Sequence, residues 1–259
     1  MSRFRLLIEY EGTRYHGWQF NIGVKTIHGE ILKACEQLFH TGKIELYGAG
    51  RTDAGVHALG QVAHLDVATQ MHPLTIVDRL NAILPYDIHI INAESCEAGF
   101  HARYSAVSRS YVYVLSRRRS AFGKRYVWWV KENLAVAPME ETAILFKGFH
   151  DFSSFGATAG KEESAYVDIT HLKVSEAGNL ILIHILGSHF LWMMVRRLVG
   201  VMVHTGKGKL TMKEIRDFLD HHSERPSQLA APPSGLYLQR VYYPGDTVDY
   251  NPEIPVVIL

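Results

Sequence analysis

The sequence predicts an α+β fold, and three observations carry the prediction. Short alternating strands and amphipathic helices succeed one another as βαββαβ over roughly the first hundred residues. A similar, less regular succession fills the remainder, and no low-complexity linker divides the two. At 259 residues the chain can bury roughly 70–75% of its unfolded surface, enough for one large domain or two intimately packed ones.

The elements follow in order. Phe4, Leu6, Ile8 and Tyr10 fall on one face of a strand over 4–10. Thr26 stands as the N-cap of a helix that would bury Ile27, Ile31, Cys35 and Leu38. Residues 44–47 and 61–68 read as strands flanking a glycine-rich loop. Pro73 fits the first turn of a helix burying Leu74, Val77, Leu80 and Leu84, and 87–92 is the next strand. In the second part 108–116 and 126–130 read as strands, 138–148 as a helix, and 167–174 with 180–186 as a strand pair. An apolar helix from Phe190 to about Val203 comes next, then another from Thr211, where Thr211 and Glu214 have capping-box spacing. Residues 236–243 form a closing strand, and 244–259, with three prolines, are expected to be irregular. The βαββαβ order is the ferredoxin-like arrangement. The expectation is therefore two ferredoxin-like halves, 1–104 and 105–259, sharing a central, mostly antiparallel sheet, with the active-site cleft between them.

The totals exclude several classes. Apolar residues make up 47% and charged residues 20%, ordinary for a soluble globular chain. No apolar run reaches membrane-spanning length, and the N-terminus runs at once into a strand pattern, so neither a membrane span nor a signal peptide is expected. Cys35 and Cys96 lack metal-ligand spacing and are expected to be reduced thiols in a cytoplasmic protein. The 15 histidines include no His-Glu-x-x-His, and Cys-x-x-Cys is missing, so a metal site has no support. Gly206-Lys207-Gly208-Lys209 fails as a phosphate loop, since Gly208 stands where Ser or Thr is required and a helix precedes it.

The net charge of +1 says little, but its distribution says more. Residues 101–131 hold eight Lys or Arg and no Asp or Glu, leaving the rest of the chain at −7. Arg103, Arg109, Arg117, Arg118, Arg119, Lys124, Arg125 and Lys131 are interleaved with Tyr104, Tyr111, Tyr113, Tyr126, Trp128 and Trp129. Cations attract phosphates and aromatic faces accept stacked bases, so this stretch points to nucleic acid, although some of these rings must belong to the core.

Two strings carry chemistry. Gly48-Ala49-Gly50-Arg51-Thr52-Asp53-Ala54-Gly55-Val56-His57-Ala58 places a carboxylate two residues from an arginine, among small residues that leave room for a ligand. A neighbouring guanidinium favours the ionised carboxylate, which suits nucleophilic attack better than general-acid work. The plain alternative for Asp53 is a turn former or N-cap. The second string, Phe190-Leu191-Trp192-Met193-Met194-Val195-Arg196-Arg197-Leu198-Val199, is apolar nearly all round with two arginines at its centre. One can snorkel to solvent. The other calls for a carboxylate, because an unpaired buried ion costs about 3–5 kcal/mol. The expected partner of Arg196 is Asp53, across the cleft, and the competing one is Asp151, in Gly148-Phe149-His150-Asp151-Phe152-Ser153-Ser154-Phe155.

These strings resemble the TruA-type tRNA pseudouridine synthases. The likeness includes Tyr10-Glu11-Gly12-Thr13, Gly17-Trp18-Gln19, Gly50 through Ala58, Gly60-Gln61-Val62, Phe100-His101-Ala102-Arg103 and Arg109-Ser110-Tyr111. It continues through His150 to Phe155, Met194-Val195-Arg196 and Ala231-Pro232-Pro233-Ser234-Gly235-Leu236. The resemblance implies isomerisation of uridine at positions 38 to 40 of the tRNA anticodon stem-loop, no metal or cofactor, and a homodimer. It assigns Asp53 as nucleophile, Arg51 to displacing the target nucleotide from the stack, Arg196 to orienting the nucleophile, and Tyr111 to packing on the flipped base. Arg103 and Arg109 join Tyr111 as substrate-binding residues. Glu11, where the family has Asp, and His28, where Gln is common, are departures that touch only N-terminal RNA contacts.

Two other readings compete. A non-catalytic RNA-binding protein of ferredoxin-like fold would explain the basic aromatic stretch, but no RNP1-like string is present and Asp53 would have no purpose. A hydrolase using Asp53 with Asp151 needs one raised carboxyl pKa, and the arginines argue the other way.

Overall fold

The computed structural model describes residues 1–157 and 164–252. Over these the chain is α+β, its strands mostly antiparallel, in two compact units. The first is Met1–Val107 with Tyr237–Thr247, and the second is Ser108–Leu236 with the chain from Val248.

The first unit runs β1 (Ser2–Tyr10), α1 (Ile27–Phe39), β2 (Glu45–Gly48), β3 (His57–Val67), α2 (Pro73–Ile83) and β4 (Ile88–Ser95). β4 and β3 flank β1, and β2 pairs with β3, all antiparallel. The strand Leu236–Tyr242 lies parallel to β3, with Tyr237 opposite His57. The alternation expected along β1 is observed, with Phe4, Leu6, Ile8 and Tyr10 all buried. Thr26 caps α1 by accepting a hydrogen bond from the Gly29 N–H, and Ile27, Ile31 and Cys35 are buried, whereas Leu38 is only half-buried. Each fully buried isoleucine contributes about 1.5–3 kcal/mol.

α2 starts at Pro73 as expected, and Leu80 and Leu84 are buried as expected, with Val77 half-buried, but Leu74 is not part of the buried face. Ile76 and Leu80 are fully buried while Leu74 is 61% exposed. Residues two apart on a helix point about 200° apart, so a face centred on Ile76 and Leu80 turns Leu74 to solvent.

The second unit runs β5 (Ser108–Ser116), β6 (Trp128–Trp129), α3 (Val136–Phe146), β7 (Gly148–Asp151), β8 (Tyr166–Ala177), β9 (Leu180–Gly187), α4 (Met194–Gly206), α5 (Met212–Asp220) and α6 (Arg225–Gln228), after which the chain returns to the first unit as β10, the strand Leu236–Tyr242. Its strands are ordered β5-β9-β8-β7, with β6 alongside β5. Phe146, Phe152 and Phe155 pack edge to face, 5.1–6.4 Å between centroids, and Phe218 of α5 joins them at 6.4 Å from Phe155. Thr211 and Glu214 form the expected capping box.

The apolar string 190–199 corrects the sequence reading. The helix begins at Met194, not Phe190. Trp192 is extended and bridges Ala157, and Met193 turns the chain in a left-handed conformation, φ 61°. An apolar run cannot by itself distinguish an extended segment from a helix, and this one is not wholly buried either, Trp192 being 62% exposed. Arg196 and Arg197 consequently lie in and just after the first turn of α4, not at a helix centre.

Candidate active site

The 48–58 loop of the first unit is organised around Thr52, which is buried between exposed Arg51 and half-buried Asp53. The Trp18 N–H donates to the Thr52 carbonyl at 3.0 Å, and Tyr10 Oη lies 2.8 Å from Thr52 Oγ1. Upstream, the Ala49 N–H donates to the Val62 carbonyl at 2.7 Å, and Gln61 Nε2 donates to the Gly50 carbonyl at 2.9 Å. Downstream, the Val56 N–H donates to the Asp53 carbonyl at 3.1 Å, closing a turn whose third residue, Gly55, has φ 78°. That sign of φ is the one a type II turn reserves for glycine. Gly17 lets this loop approach closely: a Cβ there would lie 2.5 Å from the Thr52 carbonyl oxygen. The turn-former alternative thus describes the Asp53 backbone, while its side chain stands on a loop fixed on both sides.

The second unit holds its candidates by a different network. The Ala231 N–H donates to the Arg196 carbonyl at 2.9 Å, and Arg196 Nε donates to the Ala231 carbonyl at 2.7 Å. One residue therefore grips both the backbone and the side chain of Arg196. Tyr113 on β5, fully buried, donates its hydroxyl to the Pro232 carbonyl at 2.7 Å, tying that loop to the strand. Tyr111, two residues earlier on the same face of β5, is 8% exposed and meets Phe190 edge-on at 5.1 Å. Arg109 Nη1 donates to the Ser188 carbonyl at 3.1 Å. Asp151 Oδ1 accepts from the Ser153 N–H at 2.8 Å, a local turn. Placing guanidinium groups at the positive end of α4 concentrates positive potential there, which favours an anion.

The basic aromatic stretch separates into inner and outer members. Tyr111 and Tyr113 are core residues, whereas Tyr104 and Trp129 are exposed. The Arg103 and Arg119 guanidinium groups lie over the Tyr104 and Trp129 rings at 5.8 and 5.6 Å. Arg117 is ion-paired with Glu176 across the β5–β9–β8 sheet. Lys207 and Lys209 of the rejected phosphate-loop string instead pair with Glu132, at 3.1 and 3.7 Å. Both cysteines are free, and burial pushes the Cys35 thiol up to about 12. Among the described residues no group of three or more metal-ligating side chains occurs, and no helix is long and apolar enough to cross a membrane.

Residue reading missed the anchors. Thr52 gave no signal beyond being a polar residue flanked by two charged ones, and the Ala231 grip depends on contacts between distant segments.

Comparison with known proteins agrees with these strings. A family model described as tRNA pseudouridine synthase matches residues 6–105 and 142–244. Among curated relatives named tRNA pseudouridine synthase A, that of Afipia carboxidovorans is 39% identical over 246 residues, covering 94% of this chain and 100% of its own. That of Rhodospirillum rubrum is 38% identical over 250 residues, covering 95% and 90%. That of Exiguobacterium is 36% identical over 243 residues, covering 94% and 98%. The crystal structure of a Cbf5-Nop10-Gar1 complex aligns at TM-score 0.32 and 11% identity over 77% of this chain and 54% of that one, too weak a likeness to bear on the fold. With a match over most of its length and relatives more than a third identical almost end to end, this chain belongs to the tRNA pseudouridine synthase family.

Proposed function

We propose that this isomerase converts uridine to pseudouridine at positions 38 to 40 of the tRNA anticodon stem-loop, with Asp53 as its nucleophile. The single observation that carries the assignment is the loop geometry. Thr52 is held through both its carbonyl and its hydroxyl, so the adjacent carboxylate is presented from a fixed backbone, as a nucleophile requires.

The reaction breaks the bond from uracil N1 to the ribose and forms one from C5, with a proton lost at C5 and one gained at N1. Nothing is oxidised or reduced. Asp53 detaches the base by attacking either the ribose anomeric carbon or the base itself. Arg196 is the guanidinium that orients Asp53, and its fixed geometry at Ala231 supports that role. Exposed Arg51 helps move the target nucleotide out of the stack, and the Tyr111 ring packs on the displaced base. Arg103 and Arg109 bind the RNA backbone.

The proposed architecture is two ferredoxin-like halves sharing a mostly antiparallel sheet. In the first unit the order βαββαβ and the strand pairings β4–β1, β1–β3 and β3–β2 support it. Assembly as a homodimer and a cytoplasmic location complete the proposal.

The test is to incubate the purified protein with tRNA carrying uridine in the anticodon arm and map the product. Pseudouridine at 38 to 40 is the expected result. Asp53→Asn should abolish product while leaving tRNA affinity nearly intact, and undiminished turnover would remove Asp53 from the chemistry.

A further inference from the structure

The first unit carries a rank of rings used by neither the nucleophile loop nor the β1 core. His64 on β3 lies opposite Tyr47 on β2, and their rings stack at 5.1 Å. His101 continues the rank, 4.6 Å from His64 and 5.8 Å from Tyr47, and Tyr104 follows 4.5 Å beyond it. The inner members are fixed by backbone. The Ala102 N–H donates to His64 Nδ1 at 3.1 Å, and the N–H groups of Arg103 and Tyr104 donate to His101 Nδ1 at 3.1 and 3.3 Å. The outer members are open, Tyr47 being 48% and Tyr104 78% exposed. A lone exposed aromatic needs no explanation, but four ranked rings with both ends facing solvent form a surface.

Electrostatics select what that surface takes. Burial and the neighbouring cations hold both imidazoles below their usual range, His64 at about 4, so the rank is uncharged near neutrality. Exposed Glu45, two residues from Tyr47 on the same face of β2, disfavours a phosphate at that end. An uncharged aromatic rank offers a flat face to a nucleobase, and Arg103 at the Tyr104 end supplies the cation for its phosphate. His64 lies seven residues along β3 from His57 at the end of the 48–58 loop, about 23 Å at strand rise. A base held there is not the one being isomerised.

We propose that Tyr47, His101 and Tyr104 form an auxiliary stacking site for an unpaired base of the tRNA substrate, distant from the target uridine. The proposal rests on the tRNA-modifying function and adds a second point of contact to it.

Steady-state kinetics on whole tRNA test it, with Tyr47→Ala, Tyr104→Ala and their combination. Tyr104→Ala should raise KM about fivefold or more with kcat unchanged, and the double variant should raise it further. Tyr104→Phe, which keeps the ring, should match the unsubstituted protein. In binding titrations Tyr104→Ala should weaken affinity without changing its salt dependence, whereas Arg103→Ala should reduce the slope by about one. Tyr104→Trp supplies a readout independent of stability, since the fluorescence of the introduced indole should be quenched when tRNA binds. An unchanged KM in the double variant, a Phe variant as weak as Ala, or an indole signal that tRNA leaves unquenched would each overturn the site. If the unsubstituted protein makes pseudouridine normally in those same assays, that failure belongs to the stacking site and not to the enzymatic function.

Discussion

The 48–58 loop of the first unit and the arginine helix of the second both present a charged side chain, but they restrain it by different means. Asp53 sits in irregular chain whose backbone is fixed by hydrogen bonds from β1, β3 and the Trp18 segment, all converging on or near Thr52. Arg196 sits on a regular helix, α4, whose hydrogen-bond ladder and the Ala231 N–H fix the backbone, and the Ala231 carbonyl then fixes the side chain as well. A short carboxylate has little reach, so its backbone must be placed with care. A long guanidinium has ample reach, so its side chain must be restrained instead. The number of rotatable bonds decides where each unit spends its hydrogen bonds.

The largest effect should come from the proposed nucleophile. Asp53→Asn is nearly isosteric and should lower kcat by more than about 10³-fold, read by product mapping under single-turnover conditions. Thr52→Val should come next. It keeps the shape of the side chain but removes the bond with Tyr10 Oη, costing about 1 kcal/mol of stability. If the loop positions Asp53 as described, kcat should also fall by about ten- to a hundredfold, because small misplacements of a reacting group are expensive. Tyr113→Phe applies the same test to the second unit. There the Arg196 side chain keeps its own bond to Ala231, so the loss in kcat should be smaller than for Thr52→Val. Equal losses would break the distinction between a backbone-placed and a side-chain-placed group.

Local patterns made much of this legible. β1, the Thr26 cap, Pro73 and the Thr211–Glu214 capping box follow from neighbouring residues, and all stand where the sequence puts them. What escaped depends on distant partners. β3 begins at His57, four residues earlier than its pattern indicates, because Tyr237 and Leu238 pair with His57 and Ala58. β7 is four residues long with Phe149 turned outward, too short for alternation to register. α4 starts late because Trp192 is drawn into a bridge with Ala157. The contacts made by Thr52 and Ala231 could not be read from the strings around Asp53 and Arg196, since they exist only once remote segments meet.

Each unit also buries an imidazole held well below its usual range, which allows the two to be compared by titration. Burial holds His64 and His184 at about 4, from the usual 6.5. Both neutral forms are fixed: His64 Nδ1 accepts from the Ala102 N–H, and His184 Nδ1 donates to the Tyr250 carbonyl at 3.2 Å. Above pH 6.5 neither state binds the proton and stability is flat with respect to these groups. Between 6.5 and 4 the unfolded chain takes up protons that the folded chain refuses, so stability falls as pH falls. The slope is at most about 1.4 kcal/mol per pH unit for each imidazole. Asparagine can keep either hydrogen bond but does not titrate. Denaturant melts of His64→Asn and His184→Asn across this range should each lose part of the slope, and the double variant should lose both parts. A slope left intact in one single variant would show that its unit does not carry the expected burden.

The smallest effect expected is an absence, and it separates the members of the basic stretch. Arg117, Arg118 and Arg119 are adjacent in sequence, yet Arg117 is paired with Glu176 while Arg118 and Arg119 are exposed. A guanidinium already facing a carboxylate releases few counterions when RNA arrives. Each unneutralised cation that meets a phosphate should instead contribute just under one unit to the slope of log affinity against log salt. Arg118→Gln and Arg119→Gln together should therefore flatten that slope by about one to two, and Arg117→Gln should leave it nearly unchanged. Glu176→Gln is the informative partner. Freeing Arg117 from its carboxylate should steepen the slope if the RNA path crosses this end of β5, and should do nothing if it does not.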